Sequence, residues 1–326
     1  MVRISRVSTN IRRLGTHLMG QPITLRKFHE TGNKILIVRK LGGMGDVVMH
    51  RMIFEDIKLL DPSFHVTFAC PPEFYEYVDD HPFIDKIENS KTVKYEDYMM
   101  SFDTTRCCLR YEMSTVPNVN KNRPDIWASH CGITLLNHNM HFQISDEMKQ
   151  WGADKINSFK TPDTKGVILL CPYSNAGDRS LLDWQLEGIV QQLKEMDYSI
   201  LALHGKPSPK LAELNVPVLT LTPKKLISVI NASDYIVSVD TGTFHIAGGL
   251  RKPMVGVFVY TDGKVRGNCY DFILVQKHRD DGWPCGPCWF PCKQVRERPY
   301  PCIKEITVDM IMDGINKMLQ KWPLSH

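Results

Sequence analysis

Short apolar runs alternate with longer amphipathic stretches along most of this chain. The first run, Ile35-Leu36-Ile37-Val38, is too short for a helix and rich in β-branched residues, so it predicts a strand. Glycines at 42, 43 and 45 follow, and then a helical periodicity over 47–60 that Asp61-Pro62 stops. Residues 65–69 predict the next strand, which completes one βαβ unit of a parallel sheet. Residues 91–150 carry many aromatic, Asn and His side chains without a clear period and predict only mixed structure. The polar, proline-containing stretch 157–165 predicts a linker. Beyond it a second alternation begins, with strands at 167–170, 199–203, 235–239 and 254–259. Helices are expected at 183–196, at 223–231 with proline in its first turn, at 243–250, and at 308–319 as a closing amphipathic segment.

The pattern predicts an α/β protein of two Rossmann-like domains, 35–158 and 159–304, facing a central cleft. Residues 1–34 form an arm ahead of them, and 305–326 are expected to pack back on the first domain. Open α/β sheets bind ligands outside the carboxyl ends of their strands, which directs attention to two loops. In the first, Gly42-Gly43-Met44-Gly45-Asp46 joins strand to helix, where glycines permit a tight turn and helix N–H groups favour an anion. It is neither a dinucleotide fingerprint nor a P-loop, and Asp46 on pattern alone reads equally as a helix N-cap. In the second, 235–239 runs into Asp240-Thr241-Gly242-Thr243, with His245 in the helix that begins there. Two hydroxyls, a glycine and free helix N–H groups at a strand end suit a pyrophosphate.

These two loops carry a resemblance. The runs 35–60 and 232–262 are similar to the Gly-Asp loop and the Asp-x-Gly-x-x-His donor signature of the ADP-heptose:lipopolysaccharide heptosyltransferases, glycosyltransferase family 9, including the Lys252-Pro253 and Thr261-Asp262 pairs that follow. The resemblance implies a GT-B architecture, with the acceptor on the N-terminal domain and the nucleotide sugar on the C-terminal one. It also implies an inverting reaction without a catalytic divalent metal. Asp46 becomes the catalytic base, with Gly43, Met44, Gly45 and His50 on the acceptor side. Asp240 falls near the sugar, Thr241, Gly242 and Thr243 on the diphosphate with Ser174 on the neighbouring loop, and His245 beside the phosphates. Two positions depart from the family. Alignment on Trp184 puts Leu182 where a phosphate-binding lysine is usual, so that role passes to Arg179. Lys224 stands where a ribose-contacting acid is common, and an ammonium cannot accept ribose hydroxyl protons, which points away from ADP-heptose itself.

Charge and cysteines add two features. Residues 1–34 hold seven Lys or Arg against Glu30, a charge of +6 in a chain whose total is +4. Such an arm suits phosphates on nucleic acid or lipid head groups. Of ten cysteines, Cys285, Cys288, Cys292 and Cys302 cluster with spacing that suits a closed tetrahedral site for structural zinc, or iron as second choice. No apolar run approaches a membrane span, the first twenty residues are not a signal peptide, and an intracellular, cytoplasmic location is expected, with the inner membrane surface or a phage-infected cell as settings.

The expected function is transfer of a sugar from a nucleotide-diphosphate donor to a glycan hydroxyl. A hydroxymethylated base in DNA is the alternative acceptor, with the arm on the phosphates and the aromatic residues of 91–150 supporting a flipped base. A non-catalytic, zinc-containing nucleic-acid-binding protein is the second alternative, and two ligand loops of this kind argue against it.

Overall fold

The computed structural model describes residues 31–175, 177–277, 288–289 and 301–324. The chain divides into two compact units, one running to Thr115 and resuming over Lys121–Gln143, the other taking Val116–Asn120 and everything from Ile144. Each is built on its own all-parallel sheet.

In the first unit β1 (Lys34–Val38), β2 (His65–Cys70), β3 (Lys86–Asn89) and β4 (Met100–Asp103) stand in the order β3-β2-β1-β4. β1 and β2 are buried almost throughout because strands covered on both faces need continuous apolar runs. β3 is an edge and reads Lys-Ile-Glu-Asn, which is why no apolar run announces it. The helix expected over 47–60 is instead α1 (Met44–His50), a 3-10 turn over Arg51–Ile53, and α2 (Phe54–Leu60). The break sits at Arg51, whose side chain is fully buried and donates to Met140 O, Tyr77 O, His141 O and the Asp80 carboxylate. The mixed region supplies β4, α3 (Cys107–Thr115) and α4 (Arg123–His130), the last capped by the Asn122 side chain accepting from Asp125 N–H.

The second unit opens with α5 (Asp146–Asn157), capped by Ser145, so the boundary lies near residue 144 and not in the 157–165 stretch. Its sheet contains β5 (Gly166–Cys171), β6 (Tyr198–Leu203), β7 (Val218–Leu219), β8 (Tyr235–Val239), β9 (Met254–Val257) and β10 (Ile273–Val275), in the order β10-β9-β8-β5-β6-β7. Counted from its own first strand this is 3-2-1-4-5-6 read from the other edge, the Rossmann order, and the first unit carries the 3-2-1-4 part of it. In both, the sheet order reverses between the first and fourth strands. That places one crevice at β1/β4 and another at β5/β8.

The helices of this unit are α6 (Asp183–Glu195), α7 (Pro209–Glu213), α8 (Pro223–Ala232), α9 (Gly242–Gly249), α10 (Gly263–Arg266), α11 (Pro301–Lys304) and α12 (Val308–Lys321). The expected return of the closing helix to the first domain is corrected. α12 buries Ile311, Met312, Ile315 and Met318 in the second unit's own core, beside β9, β10 and α6. Its apolar face matches the sheet face that α6 leaves open, and burying it there removes the exposed stripe.

α5 and α8 pack closely because Gly152 has no side chain. A Cβ there would stand 2.5 Å from the Ser228 carbonyl oxygen, a backbone atom that cannot swing aside. Gly152→Ala is expected to cost about 1–3 kcal/mol of stability, read by urea unfolding, with Ser228→Ala as the milder comparison. An unchanged midpoint for Gly152→Ala would show that the two helices separate at no cost.

Candidate functional site

At the β1/β4 crevice the loop after β1 sets a buried carboxylate between two arginines. Gly43, not Asp46, is the N-cap of α1, which puts Asp46 at the third helical position with its side chain turned inward and 10% exposed. The N-cap alternative is therefore corrected. Arg39 Nη2 donates to Asp46 Oδ2 at 2.7 Å and Arg123 Nη1 donates to Oδ1 at 2.6 Å. Arg39 is itself held across the crevice by the Thr104 and Thr105 carbonyls at 3.1 and 3.0 Å, and its guanidinium lies 5.6 Å from the Trp127 ring centroid. Arg123 completes a second pair with the Glu112 carboxylate at 3.0 and 3.2 Å. Burial would lower the Arg123 pKa, but Asp46 and Glu112 outweigh it and hold the guanidinium charged. Gly42 is required for this geometry. Its φ is +124°, and a Cβ would meet Asp46 Oδ2 at 2.5 Å and Arg39 Nη2 at 2.6 Å.

Gly43 is exposed and Met44 and Gly45 are half-exposed on the loop, in keeping with a ligand-facing turn. His50 is different. It is fully buried, its Nδ1–H donating to the Asp46 carbonyl at 2.6 Å, its Nε2 2.8 Å from the Thr104 hydroxyl, and its ring stacked on Trp127 at 3.7 Å. Its expected place on an acceptor surface is corrected to a strut beneath the loop. Trp127, Phe102 and Tyr98 are also buried, so these three of the aromatic residues offered as support for a flipped base are spent in the core.

The β5/β8 crevice repeats the arrangement. Asp240 directly follows β8, is buried, and accepts from Arg179 Nη1 at 2.7 Å across the crevice. Burial alone would raise its pKa, but the charges of Arg179, Arg266 and His245 overcome this and bring it down to about 2. Arg179 reaches Asp240 because the loop after β5 folds back on itself: Gly177 N–H donates to the Ser174 carbonyl, the Ser180 hydroxyl accepts from Ser174 N–H, and Leu181 N–H returns to Pro172 O. Thr241 is the N-cap of α9 yet makes no side-chain cap, and Gly242 and Thr243 form the first turn, with the Thr243 hydroxyl 3.4 Å from that of Ser238. His245 is buried, with Nδ1 3.1 Å from the Tyr270 hydroxyl. Lys224 is exposed in the first turn of α8. Leu182, at the position of the usual family lysine, is the N-cap of α6 and packs on the core.

Arg39, Arg123 and Arg266 were not among the expected site residues. Arg39 had a signal, since it directly follows a buried strand. Arg123 lies 77 residues from Asp46 inside the aperiodic region, and nothing local marks it. Of the cysteine cluster, Cys285 and Cys292 lie outside the described residues, as do residues 1–30 of the basic arm. Cys288 and Cys302 are half-buried against one core, and no group of three or more metal-ligating side chains occurs among the described residues. No helix among them is long and apolar enough to cross a membrane.

Two parallel α/β sheets with a buried, arginine-held carboxylate at each switch point define a GT-B-type protein, and comparison with known proteins agrees. Residues 132–271 match the family model for glycosyltransferase family 9 (heptosyltransferase). The fold is similar to that of a family 9 glycosyl transferase from Veillonella parvula, at 12% identity and a TM-score of 0.68, covering 90% of this chain and 98% of that one. ADP-heptose lps heptosyltransferase II of E. coli is similar at 14% identity and a TM-score of 0.64, over 88% and 99% of the two chains. The iron-containing dodecameric glycosyltransferase TibC of enterotoxigenic E. coli follows at 12% identity and 0.65, over 88% and 78%. No curated protein matches the sequence. Together the family match and the fold support a glycosyltransferase of the heptosyltransferase-like kind.

The burial of His50 has a consequence for pH. Burial, reinforced by the Arg39 charge, lowers the His50 pKa to about 3, against an ordinary unfolded value near 6.5. Between those limits the unfolded chain binds the extra proton, so stability falls as pH drops through the window. From pH 6.5 to 4.5 His50 should account for a loss of roughly 2–3 kcal/mol. His81, lowered to about 2 mainly by burial, acts in the same direction. Urea unfolding at both pH values should show His50→Gln losing about that share of the pH dependence. An unchanged slope would mean His50 does not titrate on unfolding.

Proposed function

We propose that this protein moves a sugar from a nucleoside-diphosphate donor to an acceptor hydroxyl with inversion, using Asp46 as base and no catalytic metal. The observation that carries it is the β5/β8 crevice, where Arg179 and Asp240 close on Thr241-Gly242 at a helix start within the segment matching family 9. The donor diphosphate would take the uncapped Thr241 hydroxyl, the Gly242 and Thr243 N–H groups and the Arg179 guanidinium, with Ser174 on the same side. Asp240 would accept from the sugar hydroxyls, His245 would support the α9 side, and Lys224 would meet the nucleoside end as a donor of hydrogen bonds. That chemistry favours a donor other than ADP-heptose.

In the reaction the acceptor oxygen bonds to the anomeric carbon as the carbon–diphosphate bond breaks on the opposite face, and the acceptor proton passes to Asp46. Arg39 and Arg123, each on one oxygen of that carboxylate, would fix its position at the crevice and stay beside it through the transfer. Charge on the departing diphosphate is taken up by Arg179 and the helix N–H groups in place of a divalent ion. A glycan hydroxyl is the acceptor this chemistry implies, and a cell interior where nucleotide sugars are made is the setting.

Four cysteines with this spacing would hold a structural zinc or iron. Two of them fit: Cys288 and Cys302 pack against one core although 14 positions apart, and TibC, a neighbour in fold, is iron-containing. Such a closed thiolate site would pin the segment and leave no open position for chemistry.

Transfer measured with a panel of nucleoside-diphosphate sugars and short glycan acceptors tests the function. Asp46→Asn should lower turnover by ~10²–10⁴-fold with donor affinity little changed; near-normal turnover would remove Asp46 as base. The metal is checked separately by elemental analysis, with about one zinc or iron expected per chain. Cys288→Ser should then lower the melting temperature more than it lowers turnover. A metal-free protein with normal melting would leave the four thiols as plain side chains.

A further inference from the structure

One side chain of the cysteine-rich segment reaches the surroundings of the donor-side carboxylate. Trp289, next to Cys288, donates its backbone N–H to Tyr260 O at 2.9 Å, just past β9. Its φ is +62°, a left-handed conformation that a bulky residue adopts only when the surrounding structure holds it there. The ring is 5% exposed, and the guanidinium carbon of Arg266 lies 5.2 Å from its centroid. Arg266 is likewise 5% exposed, at the end of α10, a helix capped by Asp262 accepting from Lys264 and Val265 N–H. The Arg266 charge is the second, after Arg179, of those that keep Asp240 ionised.

The indole N–H of Trp289 is buried and makes no hydrogen bond among the described residues. With its indole N–H unpaired among the described residues, what Trp289 offers a neighbour is its ring face, and a guanidinium over a desolvated ring is held by the ring quadrupole. At the other end of the segment Gln185 Nε2 donates to the Ile303 and Ile306 carbonyls at 2.9 and 2.6 Å, beside Cys302. Trp289 and Ile303 are thus each tied to the unit that carries Asp240.

We propose that Trp289 is a positioning residue for the donor: its ring fixes the Arg266 guanidinium beside the Asp240 crevice and so couples the cysteine-rich segment to nucleoside-diphosphate binding. The proposal rests on the donor site described under the function above. Without the ring, Arg266 loses the face it lies over, and its charge is less firmly fixed beside those of Arg179 and His245 around Asp240.

Calorimetric titration of the full-length protein with ADP, UDP and GDP tests this, using the nucleotide that binds best as probe. Trp289→Leu should weaken its Kd on the order of tenfold, whereas Trp289→Phe, which keeps a ring face, should stay within about threefold. Arg266→Met should weaken binding as well, and adding Trp289→Leu to it should cause little further loss, because the two act through one contact. Melting temperatures of the Leu and Phe variants are measured alongside. A merely structural role would make affinity follow melting, with no rescue by phenylalanine. Wild-type affinity in Trp289→Leu, equal losses in Leu and Phe, or additive losses with Arg266→Met would each overturn the proposal. If Trp289→Leu does not fold, Arg266→Lys carries the same expectation, since it keeps the charge but loses the flat group that stacks. A folded wild-type protein that binds none of the three nucleotides would instead overturn the donor site, and the proposal with it.

Discussion

The bridge from Arg39 through Asp46 to Arg123 is the constraint on which the first unit's ligand face depends. A carboxylate this deeply buried would cost several kcal/mol if left alone, and it is tolerable only because guanidiniums take both of its oxygens. Everything around it serves that pairing. Gly42 leaves room for the Asp46–Arg39 contact, the turn after β4 supplies two carbonyls that hold Arg39, Glu112 on α3 holds Arg123, and neutral His50 ties the Asp46 backbone to Thr104. The bridge also joins elements distant in sequence, so the loop after β1 has its shape only once α4 has docked. Loss of one arginine would leave a buried charge half-compensated, which is more damaging than loss of the whole set.

The second unit solves the same problem with different parts. Its switch-point carboxylate is Asp240, with Arg179 arriving from a self-closing loop and Arg266 from α10. The likeness follows from topology. In a parallel sheet the strands end together, and where the winding reverses the loops part and leave a crevice into which helix N–H groups and short loops point. A carboxylate there sits among partial positive charges, and arginines make its position definite. The difference between the sites is chemical. At Asp46 the carboxylate stands behind an exposed glycine loop, which the proposed role of proton acceptor would use. At Asp240 it stands beside hydroxyls at a helix start, which the proposed diphosphate site would use.

Much of this was legible in the sequence where local pattern decides the structure. β1, β5 and β8 are central and buried, so their apolar runs announce them, and the Gly-Asp and Asp-Thr-Gly turns follow at their ends. Edge strands β3 and β4 carry Lys, Glu, Ser and Asp and gave no such signal. The helix break at Arg51 was hidden because a buried arginine looks like a surface one until Asp80 and three carbonyls gather around it. Arg123 was hidden for the same reason at longer range. The unit boundary was misplaced because the polar stretch 157–165 resembles a linker, whereas the apolar side of α5, which binds it to α8, has only Gly152 and Ile156 buried. Helix–helix contact through a glycine leaves no hydrophobic stripe to read.

The two departures from the family pattern become intelligible once the second unit is placed. Leu182 is not a lost phosphate ligand in an otherwise unchanged loop. It caps α6, its N–H donates to the Gln185 side chain, and that same side chain reaches the Ile303 and Ile306 carbonyls, so the position is tied to the anchoring of the late cysteine segment. A lysine there would have to bring a charge to the edge of a core that contains Leu181, Leu186 and Ile303. Three residues back, the loop closure through Ser174 and Ser180 lets the longer, planar group of Arg179 span the crevice to Asp240. On the proposed donor site, with Arg179 at the phosphates and the exposed Lys224 ammonium at the start of α8, the ligand would meet more positive charge than a carboxylate at 224 would leave, which would suit a nucleoside end rich in acceptors.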